Sequence, residues 1–220
     1  MSNPDLYFQR HEVSNSDLTE LKNNLYPCFQ YGDKEKAFKF GTLVDALVTE
    51  NERVRYDKLM VDDVAYSVDD FELGLAMRDA LRKEARKDAF LAMVLDTSDT
   101  QKFMVNKHQE FKYAGVFKYH LDTRCKWDWW LHQYGFGGDL KTTFAESQAQ
   151  FNEAIDYFDW DRSRAWYMDI AGSQRDFIYA VSKKNCKIFK HFITDRNHPT
   201  YLKGKEKYED LAFKWWQLMV

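Results

Sequence analysis

The sequence predicts an α+β protein in which a central mixed β-sheet is flanked by helices, and three observations carry that expectation. Apolar residues recur at helical spacing through residues 34–50 and again through 67–94. The period then changes: residues 101–143 carry β-branched and aromatic residues in short runs broken at Asn106, Gly115 and Gly135–Gly138, the pattern of a three- or four-stranded antiparallel meander. Helical spacing returns after residue 145, and two more short apolar runs precede a last helical stretch.

Element by element, residues 1–13 read as an irregular lead-in. Ser14-Asn15-Ser16-Asp17 offers N-cap chemistry ahead of Leu18, Leu21 and Leu25, so a short helix is expected to run to Tyr26 and stop at Pro27. Ala37, Phe40, Leu43, Val44, Leu47 and Val48 mark a helix over 34–50 with one buried stripe. Residues 52–66 read as a loop or a short strand, followed by helices over 67–82 and 84–94. Beyond the meander, helices are expected over 145–158 and 161–172, the second opened by Asp161 and closed at Gly172. Strands over 176–182 and 187–194 join through Lys183-Lys184-Asn185, and both lysines read as solvated turn residues. A final helix over 201–218 holds Tyr208, Leu211, Phe213, Trp215 and Trp216. No repeat and no Gly/Ser/Pro-rich linker divides residues 1–220, so a single domain is expected.

Composition narrows the function classes. With 220 residues and 17% aromatics the chain can bury a bulky core. A net charge of −3 gives no support for nucleic-acid binding by composition; a binder of this balance must gather its basic residues locally. Cys28, Cys125 and Cys186 are odd in number and far apart, which gives neither a disulfide framework nor zinc spacing and suits a reducing cytoplasm. His120, His132 and His191 have no Cys or His partner at ligand spacing. No apolar run approaches a membrane span, and no signal-peptide pattern opens the chain, so a cytoplasmic protein without membrane contact is expected.

The stretch that carries chemistry is CKWDWWLHQYGFGGDLKTT, residues 125–143. A hairpin turning at residues 133–134 sets Asp128 across from Asp139. Directly opposed like charges destabilise a strand pair. Lys141, two residues beyond Asp139, lies on the same strand face. Two facing carboxylates beside a lysine call for a cation, and a divalent metal would answer it. The matching chemistry is metal-assisted phosphodiester hydrolysis: Mg²⁺ takes a few carboxylates plus phosphate oxygens and keeps several waters. Lys141 would then hold the attacking water or stabilise the phosphate as charge builds on it. Trp127 and Trp129 alternate with Asp128 and are expected in the core, whereas Trp130 could either stack on a base or pack at the rim.

GDLKTT at 138–143, preceded by CKWD at 125–128, resembles the PD-(D/E)XK nucleases and, within them, the RecE-type phage exonucleases related to exodeoxyribonuclease VIII. Phe40-Gly41-Thr42-Leu43-Val44-Asp45-Ala46-Leu47 resembles that branch's Phe-Gly-Thr-x-x-His-x-x-Leu helix. The segment from Ser16 to Lys22 resembles its Ser-x-x-x-Leu lead-in. Ser163-Arg164-Ala165-Trp166-Tyr167 falls where the branch carries Gln-x-x-x-Tyr. The resemblance spans residues 14 to about 195 and implies a restriction-endonuclease-like core. It implies Asp45, Asp128 and Asp139 as metal ligands, Lys141 as the catalytic lysine, and Tyr167 as a helper near the substrate strand. Thr142 resembles the family's threonine, or simply reflects β propensity.

Two departures stand out. Asp45 occupies the histidine's place: it is either a harder oxygen ligand suited to Mg²⁺ or a charged residue flanking the core stripe. Ser163 replaces the glutamine, which leaves the DNA contact there open. A basic strip of Lys126, Lys141, Arg162 and Arg164 is expected to meet DNA. The resemblance implies a Mg²⁺-dependent DNA exonuclease, with Mn²⁺ as a substitute, that acts on linear double-stranded ends for phage recombination. The partners it implies are a single-strand annealing recombinase and other copies in a homo-oligomer. The alternatives are an endonuclease with the same site and a non-catalytic DNA-binding relative.

Overall fold

The computed structural model describes residues 10–27 and 33–219; residues 1–9 of the expected lead-in, and Cys28, lie outside the described residues. The first helix, α1 (Asn15–Leu25), opens on a capping box in which Ser14 and Asp17 exchange hydrogen bonds, and buries Leu18 and Leu21. Helix α2 (Lys34–Thr49) is capped by Asp33 and buries Phe40, Leu43, Val44, Ala46 and Leu47.

Residues 51–65 form more structure than the loop or single strand expected. A 3₁₀ turn (Asn51–Arg53) leads into a small antiparallel sheet of three two-residue strands, β1 (Val54–Arg55), β2 (Met60–Val61) and β3 (Val64–Ala65). Buried Val54 and Val61 pin it against Leu43, Leu47 and Phe71. Helix α3 (Val68–Ala85) then runs past its expected end. Helix α4 (Ala89–Thr97) starts only at Asp88, whose carboxylate accepts the Phe90 and Leu91 N–H groups at 3.1 Å.

The main sheet has five strands in sequence order: β4 (Asp99–Tyr113), β5 (Phe117–Leu131), β6 (Phe136–Thr143), β7 (Asp176–Ser182) and β8 (Ile188–Ile193). Every pair is antiparallel except β6–β7, so the sheet is mixed, as expected. The break anticipated at Asn106 is instead a register shift inside one 15-residue strand, with His108 in the left-handed region at φ 56°. Strand β6 pairs only with the last residues of β5. Further back along β5, the chain before α1 takes the vacant edge: Val13 donates to the Asp122 carbonyl and accepts from the Arg124 N–H, both at 2.8 Å.

The helices α5 (Gln148–Tyr157) and α6 (Trp160–Ala171) make the crossover from β6 to β7, and α7 (Pro199–Met219) closes the described chain. Two cores flank the sheet. Phe40 and Val44 of α2 join Met77, Leu81, Leu91 and Val94 over Trp129, Leu140, Phe177 and Tyr179. On the other face α1, α6 and α7 close over Phe111, Tyr119, Cys125 and Trp127. Trp127 and Trp129 are thus buried, and Trp130 joins the same core as Trp127 rather than a substrate-facing rim. No helix among the described residues is long and apolar enough to cross a membrane.

Candidate active site

The site lies where β5 and β6 part. Their ladder runs Leu131↔Phe136, Trp130↔Gly137, Trp129↔Gly138 and stops one residue short of Asp128 and Asp139. The turn between them passes through a 3₁₀ segment (His132–Tyr134) and Gly135 at φ 64°, a conformation that glycine adopts without strain. Gly138 allows a close approach, because a Cβ there would stand 2.1 Å from the Phe177 ring. Beyond Trp129 the side chain of Asp128 replaces the backbone ladder, its Oδ2 accepting the Leu140 N–H at 2.7 Å.

Asp139 is buried, 5% exposed, and held by two cations. Lys141 Nζ lies 2.5 Å from its Oδ2, and Arg164 Nη1 donates to its Oδ1 at 2.7 Å. Burial pushes the Asp139 carboxyl up, but Lys141 and Arg164 outweigh it and hold its pKa below the usual carboxylate range. Asp128 moves the other way. Burial and the nearby Asp45 and Asp139 charges raise it well above its ordinary value, and it shares a hydrogen bond with Asp139. The two carboxyls titrate as a coupled pair, with Asp128 the harder of the two to ionise. Burial works against a charged Lys141, yet Asp139 and Asp128 hold its pKa above the ordinary value, so it is an ammonium at neutral pH.

Asp45 reaches the same place from α2. Thr49, one turn on, donates to its Oδ1 at 3.1 Å, and Gln101 Nε2 from β4 donates to its Oδ2 at 2.9 Å. Burial, with Glu50 and Asp139 nearby, lifts its pKa to about 6. The structure thus brings Asp45, Asp128, Asp139 and Lys141 together.

Three carboxylates, as hard oxygen donors, suit a divalent cation in chemistry. The side chains as they stand are otherwise engaged: among the described residues no group of three or more His, Cys, Asp or Glu is arranged to hold a metal ion.

The expected basic strip needs correction. Arg164, expected at the DNA surface, is 0% exposed. Its Nε donates to both oxygens of Asp176 at 3.1 Å, and its guanidinium lies over the Trp127 and Tyr167 rings at 4.8 and 4.4 Å. Arg162 is buried too, donating to Asn15 at 3.0 Å and Thr19 at 2.5 Å, which ties α6 to α1. The reason is that α6 is enclosed by the sheet on one side and by α1 and α7 on the other. Lys126 and Thr142 are half-buried on the two strands that carry the carboxylates. Tyr167 is half-buried edge-on to Trp127.

Sequence reasoning missed Asp176, whose carboxyl burial lifts to about 7 despite Arg164. Its one visible signal is a carboxylate opening an otherwise apolar strand. Gln101 carried no signal. Lys183, expected in solvent, is half-buried over the Phe40 ring.

Fold and site together define an α+β protein with an acidic cluster and a buried lysine on the seam of a mixed sheet. No family model matches the sequence, and no curated protein matches it. Among solved structures, the chain is similar to a Eubacterium rectale chain named "Putative exonuclease", at 12% identity and a TM-score of 0.50 over 97% of this chain and 86% of that one. It is also similar to a phage-related exonuclease from Haemophilus somnus 129PT, at 9% identity and a TM-score of 0.43 over 92% and 81% of the two chains. The likeness to the first is one of fold: a mixed sheet flanked by helices.

Proposed function

We propose that the protein is a metal-dependent nuclease of the PD-(D/E)XK type that hydrolyses DNA from linear double-stranded ends. The observation that carries the reading is the convergence of Asp128, Asp139 and Lys141, from opposed strands, with Asp45 from α2. Sharing a fold with a chain named an exonuclease is consistent with it.

In this reading Asp45, Asp128 and Asp139 would hold Mg²⁺ or Mn²⁺, which would activate water and neutralise charge at the departing oxygen. Lys141 keeps its proton, so it acts as a fixed cation facing the phosphate rather than as a base. Arg164 fixes one oxygen of Asp139 and so limits the angles at which that carboxylate faces the site. The surroundings of Asp128 oppose its charge, so a cation bound there would favour its ionised form.

The test is incubation of the pure protein with Mg²⁺ and either linear or closed-circular duplex DNA. Loss of linear DNA with circles spared is the expected result. Equal cutting of both would replace exonuclease with endonuclease, and no cutting with either metal would remove the nuclease reading.

A further inference from the structure

With Arg162 and Arg164 buried, a polyanionic substrate needs other cations, and the structure offers a pair beside the site. Lys183 follows β7 directly, and its N–H donates to the Thr143 carbonyl at 2.7 Å, so it sits at the shared end of β6 and β7. Its ammonium lies 4.3 Å from the centre of the Phe40 ring and 5.2 Å from that of Phe144. Phe144 is 65% exposed. Lys36, one turn before Phe40 on α2, is exposed and close enough to oppose the charge of Lys183. Neither lysine side chain has an ion-pair partner among the described residues. Burial, chiefly, pulls the Lys183 pKa below its usual value despite Asp70 nearby. A half-buried ammonium over two aromatic rings, near a second lysine and without an ion pair among the described residues, is costly unless an anion comes.

Position favours the same substrate strand. Thr143 is two residues beyond Lys141, roughly 6.6 Å along a strand at ~3.3 Å per residue. Phe40 is five residues before Asp45, about 7.5 Å along a helix at 1.5 Å per residue. Both distances are on the order of one nucleotide step. The surrounding run Lys34-Glu35-Lys36-Ala37-Phe38-Lys39-Phe40 holds three lysines and two aromatics, and Phe38 is also exposed.

We propose that Lys36, Lys183 and Phe144 form a subsite for a nucleotide next to the scissile phosphate, the lysines taking its phosphate and Phe144 stacking on its base. This rests on the nuclease reading. A base on Phe144 requires an unpaired strand there, so the subsite selects frayed or single-stranded ends over intact duplex.

The experiment is metal-free fluorescence anisotropy with a labelled 12-nucleotide single strand and its abasic counterpart, alongside the cleavage assay on wild-type protein. Lys183→Gln is expected to weaken binding about tenfold and to lower the log–log salt slope by about 0.7, one phosphate contact on a single strand. Phe144→Ala is expected to weaken binding of the normal strand by a similar factor and of the abasic strand hardly at all. Lys184→Ala, which removes the partner of Glu146, is the control and should leave affinity unchanged. Circular dichroism melts of each variant exclude unfolding as a cause, and Phe144, being exposed, keeps the test available if Lys183→Gln does not fold. A wild type that cuts DNA, with both variants binding like it, would overturn the subsite alone. A wild type that neither cuts nor binds would overturn the subsite and the nuclease reading together.

Discussion

Arg164 and Asp139 form a 2.7 Å ion pair that is shut away from solvent, and the same guanidinium holds Asp176 on its other edge. Breaking a buried pair from one side leaves an unpaired charge behind and costs about 3–5 kcal/mol. Arg164→Met is therefore expected to lower Tm by roughly 6–20 °C, taking ~2–4 °C per kcal/mol for a chain this size. Arg164→Lys should recover only part of that, because an ammonium cannot reach both carboxylates as the planar fork does. A melt within 2 °C of wild type for Arg164→Met would show the pair to be without structural weight.

Asp128→Asn mimics the protonated form of its own side chain. Because the folded Asp128 pKa lies above the unfolded value, the native state binds more protons than the unfolded chain in the window above about pH 4. Stability contributed by this group is present at low pH and declines as pH rises through the folded pKa. Metal-free Asp128→Asn should thus match wild type near pH 4 and melt higher at pH 8, while losing Mg²⁺-dependent cleavage and the thermal shift caused by Mg²⁺. Differential scanning fluorimetry across pH, with and without Mg²⁺, checks all three. A lower melt at pH 8 would contradict the raised pKa of Asp128.

Lys141→Met should reduce kcat by about 10²–10³, the typical cost of one preorganised donor at developing charge. Metal affinity should hold or improve, since a cation beside Asp139 is removed. Unchanged kcat at saturating Mg²⁺ would remove Lys141 from the chemistry.

Asp45 separates ligand from bystander by its replacements. Asp45→Ala is expected to raise the Mg²⁺ concentration for half-maximal rate at least tenfold. Asp45→His should retain part of the activity and prefer Mn²⁺, in keeping with imidazole as the softer donor. If both variants titrate like wild type, Asp45 serves only Thr49 and Gln101.

The parts of this site that were legible in the sequence are local ones. Asp128 comes beside Asp139 because the turn between them fixes the β5–β6 register up to Trp129↔Gly138, and turn chemistry is written in adjacent residues. Helices α1 and α2 followed for the same reason, their starts set by the caps Ser14 and Asp33. What failed depended on distant chain. Arg162 and Arg164 read as part of a basic strip for DNA, yet α1, α7 and the sheet enclose them, and Asp139 and Asp176 supply the buried counter-charge of Arg164. Lys183 reads as a turn residue, and only the packing of α2 against the ends of β6 and β7 sets it on Phe40. Gln101 meets Asp45 across 56 residues of sequence, beyond any local pattern.

The hydrogen bond from the Leu140 amide to Asp128 gives the acidic pair an observable of its own. An amide donating to a carboxylate feels the full change in charge when that group loses its proton, so the Leu140 proton resonance should move downfield as pH rises. One peak in a two-dimensional nitrogen–proton spectrum then reads the titration of a carboxyl group that has no chromophore. The same peak should respond when a cation takes the proton's place, letting metal occupancy be followed without substrate and without turnover.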